Sequence, residues 1–423
     1  MNRDRPRPST SLSELLHRRP ISGEKMYPPP PATHFATASV EPITEDSSPY
    51  NPSASTSPFI SSPWAHSAAP GSSSASPHLL LGSLLRHDGH VFSLAVAQDL
   101  LYTGTDGRNI RVWRKDGLRE CSGFKSSSGL VKAIAISGDG KVFTGHHDGK
   151  IRVWKPHPND PRVHRRVGTL PRLKDFIRSS IRPSNYVKIR RHRTTVWVRH
   201  FDAVSCLSLD AEGGILYSGS WDRTIKVWRT SDSKCIESVN AHDDAVNAVA
   251  AGFAGLLFSG SADGTVKMWR RDGKTGRHSG AGTLLRLGSA VTAIAVAAEE
   301  GVVYCGSSDG LVRFWLGLEW GGVLRGHAKA VLCVAAVGSA VASGSADRTV
   351  TVWRREAVGV HVQMALLTGH VGPVKCLSLE HDAARDAGGF DEGWVVYSGS
   401  LDGSVKVWRV VDWRRPAGDR LLK

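Results

Sequence analysis

At seven places in this 423-residue chain a glycine stands nine residues before a tryptophan: Gly104/Trp113, Gly145/Trp154, Gly219/Trp228, Gly260/Trp269, Gly306/Trp315, Gly344/Trp353 and Gly399/Trp408. Between them run variants of Gly-Ser-x-Asp-Gly-x-Ile/Val-x-Val-Trp, clearest at 219–228, 260–269 and 399–408. Self-similarity at a period near ~40 residues, with short apolar runs between turn residues, is what a β-propeller requires. Each unit is a four-stranded blade that buries its faces only against its neighbours. The expected fold is therefore all-β, a seven-bladed ring. Such a ring is a recognition platform, so the functional question is what it holds.

Further columns support the repeat. Each unit opens on a valine (Val91, Val131, Val204, Val246, Val291, Val331, Val374), followed two residues later by a small side chain (Ser93, Ala133, Cys206, Ala248, Ala293, Cys333, Cys376). Innermost strands crowd the channel, and small residues let blades approach. A histidine precedes the valine by four in five units (His87, His200, His242, His327, His370), whereas Ser127 and Leu287 stand there in units two and five. A turn aspartate lies six residues before the tryptophan in six units (Asp148, Asp222, Asp263, Asp309, Asp347, Asp402), and Asp106 falls one residue early in unit one.

These columns resemble the WD-repeat family over residues ~79–410. The resemblance implies a buried hydrogen-bonded set in each blade, because indole, hydroxyl and carboxylate groups all need partners when buried. Carried over, the sets are His200, Ser218, Asp222 and Trp228; His242, Ser259, Asp263 and Trp269; His327, Ser343, Asp347 and Trp353; and His370, Ser398, Asp402 and Trp408. Unit five has Leu287 and Cys305 instead of His and Ser, so both partners are lost together. A His/Ser/Asp trio also occurs in hydrolases, yet its repetition blade by blade suits a scaffold and not a catalyst. Where the family usually has Asp after the tryptophan, this chain is basic six times in seven, and no Trp-Asp-x-Arg ending occurs. That leaves a ubiquitin-ligase substrate receptor as a lesser alternative.

Outside the repeats, residues 1–78 hold 14 of the 21 prolines and balance six basic against six acidic residues. Such a segment has too little apolar surface to offset its ordering entropy, so disorder is expected there. Ser-Pro steps at Ser48, Ser57, Ser62 and Ser76 could accept phosphate or could simply belong to a linker. Residues 79–86 return to apolar character and are expected to complete the last blade, hiding an edge. Six cysteines show no metal or disulfide spacing, and no cofactor or metal is expected. No leader and no apolar run near ~18 residues occurs, so a cytoplasmic or nuclear monomer without integral membrane association is expected.

The tryptophan gaps, 41, 74, 41, 46, 38 and 55, expose an insertion at about 155–192. Residues 194–198 are expected to form the outer strand after it. Within it, Thr169 can cap a helix with Pro171 in its first turn and Leu173, Phe176 and Ile177 on one face, stopped by Pro183. That face is expected to pack on the propeller's flank. From Lys155 to Arg199 the balance is +11 of the chain's +15, the tail after Val410 is basic too (domain boundary 411–423), and the remaining propeller is nearly neutral. Arg190, Arg191 and Arg193 could meet an acidic protein, an import receptor, nucleic-acid phosphates or an anionic membrane surface; a solvated loop is the alternative. A protein partner is favoured over nucleic acid, because aromatic repetition is missing.

Residues 166–171 (Arg-Val-Gly-Thr-Leu-Pro), 173–183, 185–193 and the run after His200 resemble the plant WD-repeat proteins of the JINGUBANG type. That resemblance implies a non-catalytic regulatory adaptor, some members acting with transcription regulators in pollen. Nothing in the chain supports an enzyme. No kinase glycine loop or His-Arg-Asp phrase occurs, and Gly273-Lys274-Thr275 lacks the upstream glycine of a phosphate loop, reading as a turn. The residues before the turn aspartates vary, and among them Trp221, His147 and Leu401 are the candidate partner-binding side chains, with packing between adjacent loops as the alternative.

Overall fold

The computed structural model describes residues 78–85, 89–157, 159–190, 193–210, 214–356, 359–382 and 393–412. Expectations for residues 1–77, His87, Arg191 and 413–423 lie outside the described residues. Seven four-stranded antiparallel sheets follow one another, and the innermost strand of each neighbours that of the next around a channel. Blade one spans 91–125, blade two 131–170, blade three 204–240, blade four 246–286, blade five 291–325 and blade six 331–367. Blade seven joins Val374–His381, Gly393–Ser400 and Ser404–Val411 to His78–Leu85, which pairs antiparallel with the last of these. N-terminal and C-terminal strands thus share one sheet. Across that seam, Lys115 of blade one pairs with Glu380 of blade seven at 3.0 Å.

The two sequence columns turn out to serve each other. A Cβ on Gly219 would lie 2.7 Å from Val246 of the following blade, and one on Gly399 would lie 2.9 Å from Val91. The glycine is needed because the next blade's valine occupies the space of its missing side chain. The core accordingly lies between blades. One cluster joins Tyr102, Ile110, Val112 and Phe124 of blade one to Val131, Val142 and Trp154 of blade two. Burying such side chains stabilises by about 25 cal/mol per Å² of apolar surface, which makes the seams the main source of stability. Tyrosine–histidine bonds reinforce alternate seams: Tyr102 with His164 at 3.1 Å, Tyr217 with His278 at 3.1 Å and Tyr304 with His361 at 2.9 Å. Cys333 and Cys376 are buried and Cys206 is partly buried in the small-residue column.

The insertion departs from its expected layout. Blade two takes its outer strand from Asp160–Leu170, paired with Ile151–His157, so residues 194–198 are not that strand. Leu170 is fully buried at its end. The added segment therefore begins after Leu170: a helix α1 (Leu173–Ser180), then a separate two-stranded hairpin of Tyr186–Arg190 with Arg193–Val196. Thr169 lies in the strand and does not cap α1, whose N-cap is Arg172 without a side-chain capping hydrogen bond. Only Phe176 of the expected apolar face packs on the flank, beside Trp197 and Val196; Leu173 and Ile177 are exposed.

A candidate peptide-binding rim at the channel mouth

In blade three, His200 Nδ1 lies 3.0 Å from Asp222, its Nε2 lies 2.8 Å from Ser218 Oγ, and Trp228 Nε1 donates to the same hydroxyl at 2.8 Å. Blade four repeats this with His242, Asp263 (3.0 Å), Ser259 (2.8 Å) and Trp269 (2.8 Å). Blade seven does so with His370, Asp402 (3.0 Å), Ser398 (2.8 Å) and Trp408 (2.9 Å). In blade six, His327 meets Asp347 at 3.0 Å and Ser343 at 2.6 Å, and Trp353 stands edge-on to the imidazole with centroids 6.2 Å apart.

The charge state follows from the geometry. An ionised aspartate only accepts, so Nδ1 carries the imidazole proton and Nε2 accepts from the serine, which in turn accepts from tryptophan. Burial pulls His200, His242 and His370 below the usual histidine range against the opposing aspartates, which keeps them neutral. Burial alone would raise the carboxylates. Hydrogen bonds and the facing imidazoles overcome it, holding Asp222 and Asp402 well below the usual carboxylate range and Asp263 at about 2. Each aspartate also accepts a backbone N–H from the loop before its own blade's inner strand, from Phe201 at 2.8 Å in blade three and Asp243 at 3.0 Å in blade four. These sets fasten the turns that build the channel mouth. None faces an open pocket with a free nucleophile.

Blades two and five lack the histidine, and the structure shows what replaces it. Arg313 grips Asp309 through both its terminal nitrogens, at 3.3 and 2.8 Å, and also donates to Ser307. Arg152 grips Asp148 in the same forked way, at 3.2 and 2.7 Å, and donates to Ser127 at 3.2 Å. The forked guanidinium supplies two charge-assisted bonds to one carboxylate, a fair substitute for an imidazole. In blade two a second histidine, His146, reaches Thr144 Oγ1 at 2.8 Å, and Trp154 donates to that hydroxyl at 2.9 Å. The sequence signal for both clamps was an arginine four residues after the turn aspartate.

Above these turns, the three partner-binding candidates fall on one arc. Trp221, 39% exposed, meets His147 edge-to-face with centroids 6.2 Å apart. Lys132 Nζ lies 4.1 Å from the Trp221 ring centre and 5.5 Å from that of Phe92. His90 stands edge-on to Phe92 at 6.4 Å, and its ring nitrogen meets the backbone carbonyl of Leu401. Leu401 itself is half-buried and contributes that carbonyl to the arc. The linking residues Phe92, Lys132 and His90 were not singled out in the sequence. Phe92 and Lys132 follow the column valine, a position whose alternation points it into the channel.

That position also sorts the blades. In blades three, four and five it is Ser205, Asn247 and Thr292, and each donates to the carbonyl of the next blade's column valine, Asn247 at 2.8 Å. In blades seven, one and two it is Lys375, Phe92 and Lys132. The channel, about 250 Å³, is lined by both lysines and, among the described residues, by no carboxylate. Burial, with the positive Lys375 adding to it and the carboxylate of Asp202 opposing it, lowers Lys132 from the usual lysine value. An arriving anion would relieve that repulsion.

The basic insertion contributes elsewhere. Arg190 and Arg193 are backbone register partners at the turn end of the hairpin. Gly273-Lys274-Thr275 forms a turn in which Asp272 accepts from the Lys274 N–H at 2.8 Å and the Thr275 hydroxyl at 3.0 Å. No helix among the described residues is long and apolar enough to cross a membrane.

Comparison with known proteins agrees with the blade geometry. Residues 118–155, 192–229, 233–270, 319–354 and 361–409 match the family model for the WD domain, G-beta repeat. The chain is 24% identical over 183 residues to WD repeat-containing protein pop2 of Schizosaccharomyces pombe, covering 39% of this chain and 24% of that protein. It is 39% identical over 57 residues to human Striatin-4, covering 12% of this chain and 8% of the relative. It is 26% identical over 211 residues to Striatin-3 of Rattus norvegicus, covering 41% and 25%. The chain spans a quarter or less of the length of these relatives. Model and relatives together support the WD40 repeat family, whose propellers are interaction folds and generally not catalysts.

Proposed function

We propose that this chain is a non-catalytic protein-interaction scaffold that holds a peptide segment of a protein partner on the arc from Leu401 through Phe92 and Lys132 to Trp221. The observation that carries the reading is Lys132: a cation over two aromatic rings, with a second lysine two blades away and no carboxylate among the described residues that line the channel. Tryptophan and cation–π contacts are the usual anchors of such surfaces. The bound peptide carries an acidic side chain for Lys132 beside an apolar one for Trp221. In this reading the chain is monomeric and works in the cytoplasm or nucleus. Residues 166–193 support the finer assignment to plant regulation beside a transcription regulator, through their likeness to JINGUBANG-type proteins.

The test is a peptide-display selection on the full chain. Enriched peptides should pair an acidic with an apolar residue and lose binding to Trp221→Ala, whose melting temperature stays within a few degrees of wild type. Peptides without acidic enrichment, or binding indifferent to Trp221, would refute the assignment. A Trp221→Ala protein that unfolds would make the residue a packing element.

A further inference from the structure

A second groove, remote in character from the channel, lies where blade two meets α1 and the approach to blade three. It has a volume of about 380 Å³. One side carries Lys150, Arg152, Arg166 and Arg199; the other carries Leu173 and Phe176. Among the described residues no carboxylate lines it. Asp148 pairs with Arg152 of the groove wall at 2.7 Å, and Asp175 pairs with Arg172 at 2.7 Å. Arg166 donates only to the neutral hydroxyl of Ser127, at 3.3 Å. Arg199 Nε is buried without a hydrogen-bond partner. Burying a guanidinium nitrogen unpaired is costly unless something else completes it. Leu173 on the facing wall is 72% exposed.

We propose that this groove is a binding site for a phosphorylated serine or threonine in a partner's peptide, with an apolar neighbour seated against Leu173 and Phe176. Three cations not held by a carboxylate among the described residues converge on the groove, more than one carboxylate would neutralise. A phosphoryl group brings about −1.5 to −2 charges and three acceptor oxygens, which suits Lys150, Arg166 and Arg199 together. The apolar wall and the volume both exceed what an isolated phosphate uses. Phe176 is the sole aromatic among the described lining residues, which do not form the series of stacking platforms that single-stranded nucleic acid uses. This site is independent of the rim, because no residue of the Leu401–Trp221 arc lines it.

The test uses the full chain and a fluorescein-labelled pool of seven-residue peptides with central phosphoserine flanked by leucine on both sides, otherwise degenerate. Anisotropy should report saturable binding that phosphatase treatment abolishes. Arg199→Gln with Lys150→Gln should weaken it at least about tenfold, and the exposed Leu173→Ser should weaken it several-fold, while Arg178→Gln leaves it unchanged. Equal binding of the phosphatase-treated pool, or equal binding by both the double variant and Leu173→Ser, would overturn the proposal. So would competition by inorganic phosphate at the peptide's own concentration, which would make the apolar wall irrelevant. Binding of phosphatidylserine vesicles through these residues, with none of the peptide, would replace the peptide with a lipid surface.

Discussion

Blades three to five and the arc of blades seven, one and two put one strand position to different uses. In the first group, Ser205, Asn247 and Thr292 each donate across the seam to the next blade's valine carbonyl. In the second, Lys375, Phe92 and Lys132 occupy the same position, and Lys132 lies over two exposed-side rings. Bonds between innermost strands persist on the second arc through Ser93, which donates to Val131 at 2.9 Å. Seam and site are thus divided between neighbouring columns there, and the residue facing the channel is free to meet a ligand. A propeller keeps its ring while changing its specificity because these two columns vary separately.

The largest expected effect breaks the ring on the second arc. Leu84 of the closing strand is buried with Val405, Val407 and Trp113. Removing residues 1–88 should unfold or aggregate the protein in thermal scans, exposing the edge of blade seven. Removing residues 1–70 should leave the melting temperature nearly unchanged. Equal behaviour of the two truncations would deny the strand its role.

A smaller effect separates the arcs directly. Asn247→Ala removes one inter-blade bond and should cost about 1 kcal/mol in urea unfolding. Lys132→Met keeps the aliphatic stem and removes a repelled charge, so its stability should stay within about 0.5 kcal/mol of wild type. A Lys132→Met loss as large as that of Asn247→Ala would erase the distinction.

The finest contrast is set by pH. His242 is lowered from 6.5 in the folded blade, so the unfolded chain binds the proton first and stability is present above pH 6.5 and lost as pH falls below it. Asp263, held at about 2 against 3.8, adds a loss as pH falls from 3.8 towards 2. Asp309 of blade five is also depressed, but an arginine holds it and no histidine stands there. Hydrogen-exchange protection relative to the intrinsic rate should therefore fall between pH 6.5 and 4.5 in Thr265–Arg271 before Leu311–Leu316. A simultaneous fall would mean that the imidazole and guanidinium clasps respond alike.

How much of this was legible depended on whether a residue's partner shared its column. Glycine and tryptophan spacing placed the blades, because both are imposed by packing against a neighbour that carries the same pattern. His200, His242, His327 and His370 are brought to their serines and aspartates for the same reason. Arg152 and Arg313 escaped notice because each compensates for an absence at another position, and column reading sees only the absence. The strand Asp160–Leu170 was hidden by its own exposure: an outer strand with arginines at 162, 165 and 166 looks like a solvated loop. Trp221, His147 and Leu401 stood out by size, but Lys132 is a routine lysine in sequence and acquires its meaning only between two rings.

The central claim is that channel-facing side chains of the second arc bind the partner while those of the first hold the ring. Dissociation constants of display-selected peptides for wild type, Lys132→Met and Asn247→Ala measure it most directly. Lys132→Met should weaken binding at least about thirtyfold, the scale of a ~2 kcal/mol hot spot, with Asn247→Ala within about twofold of wild type. Peptides that bind Lys132→Met as tightly as wild type, or that lose more on Asn247→Ala, would contradict it.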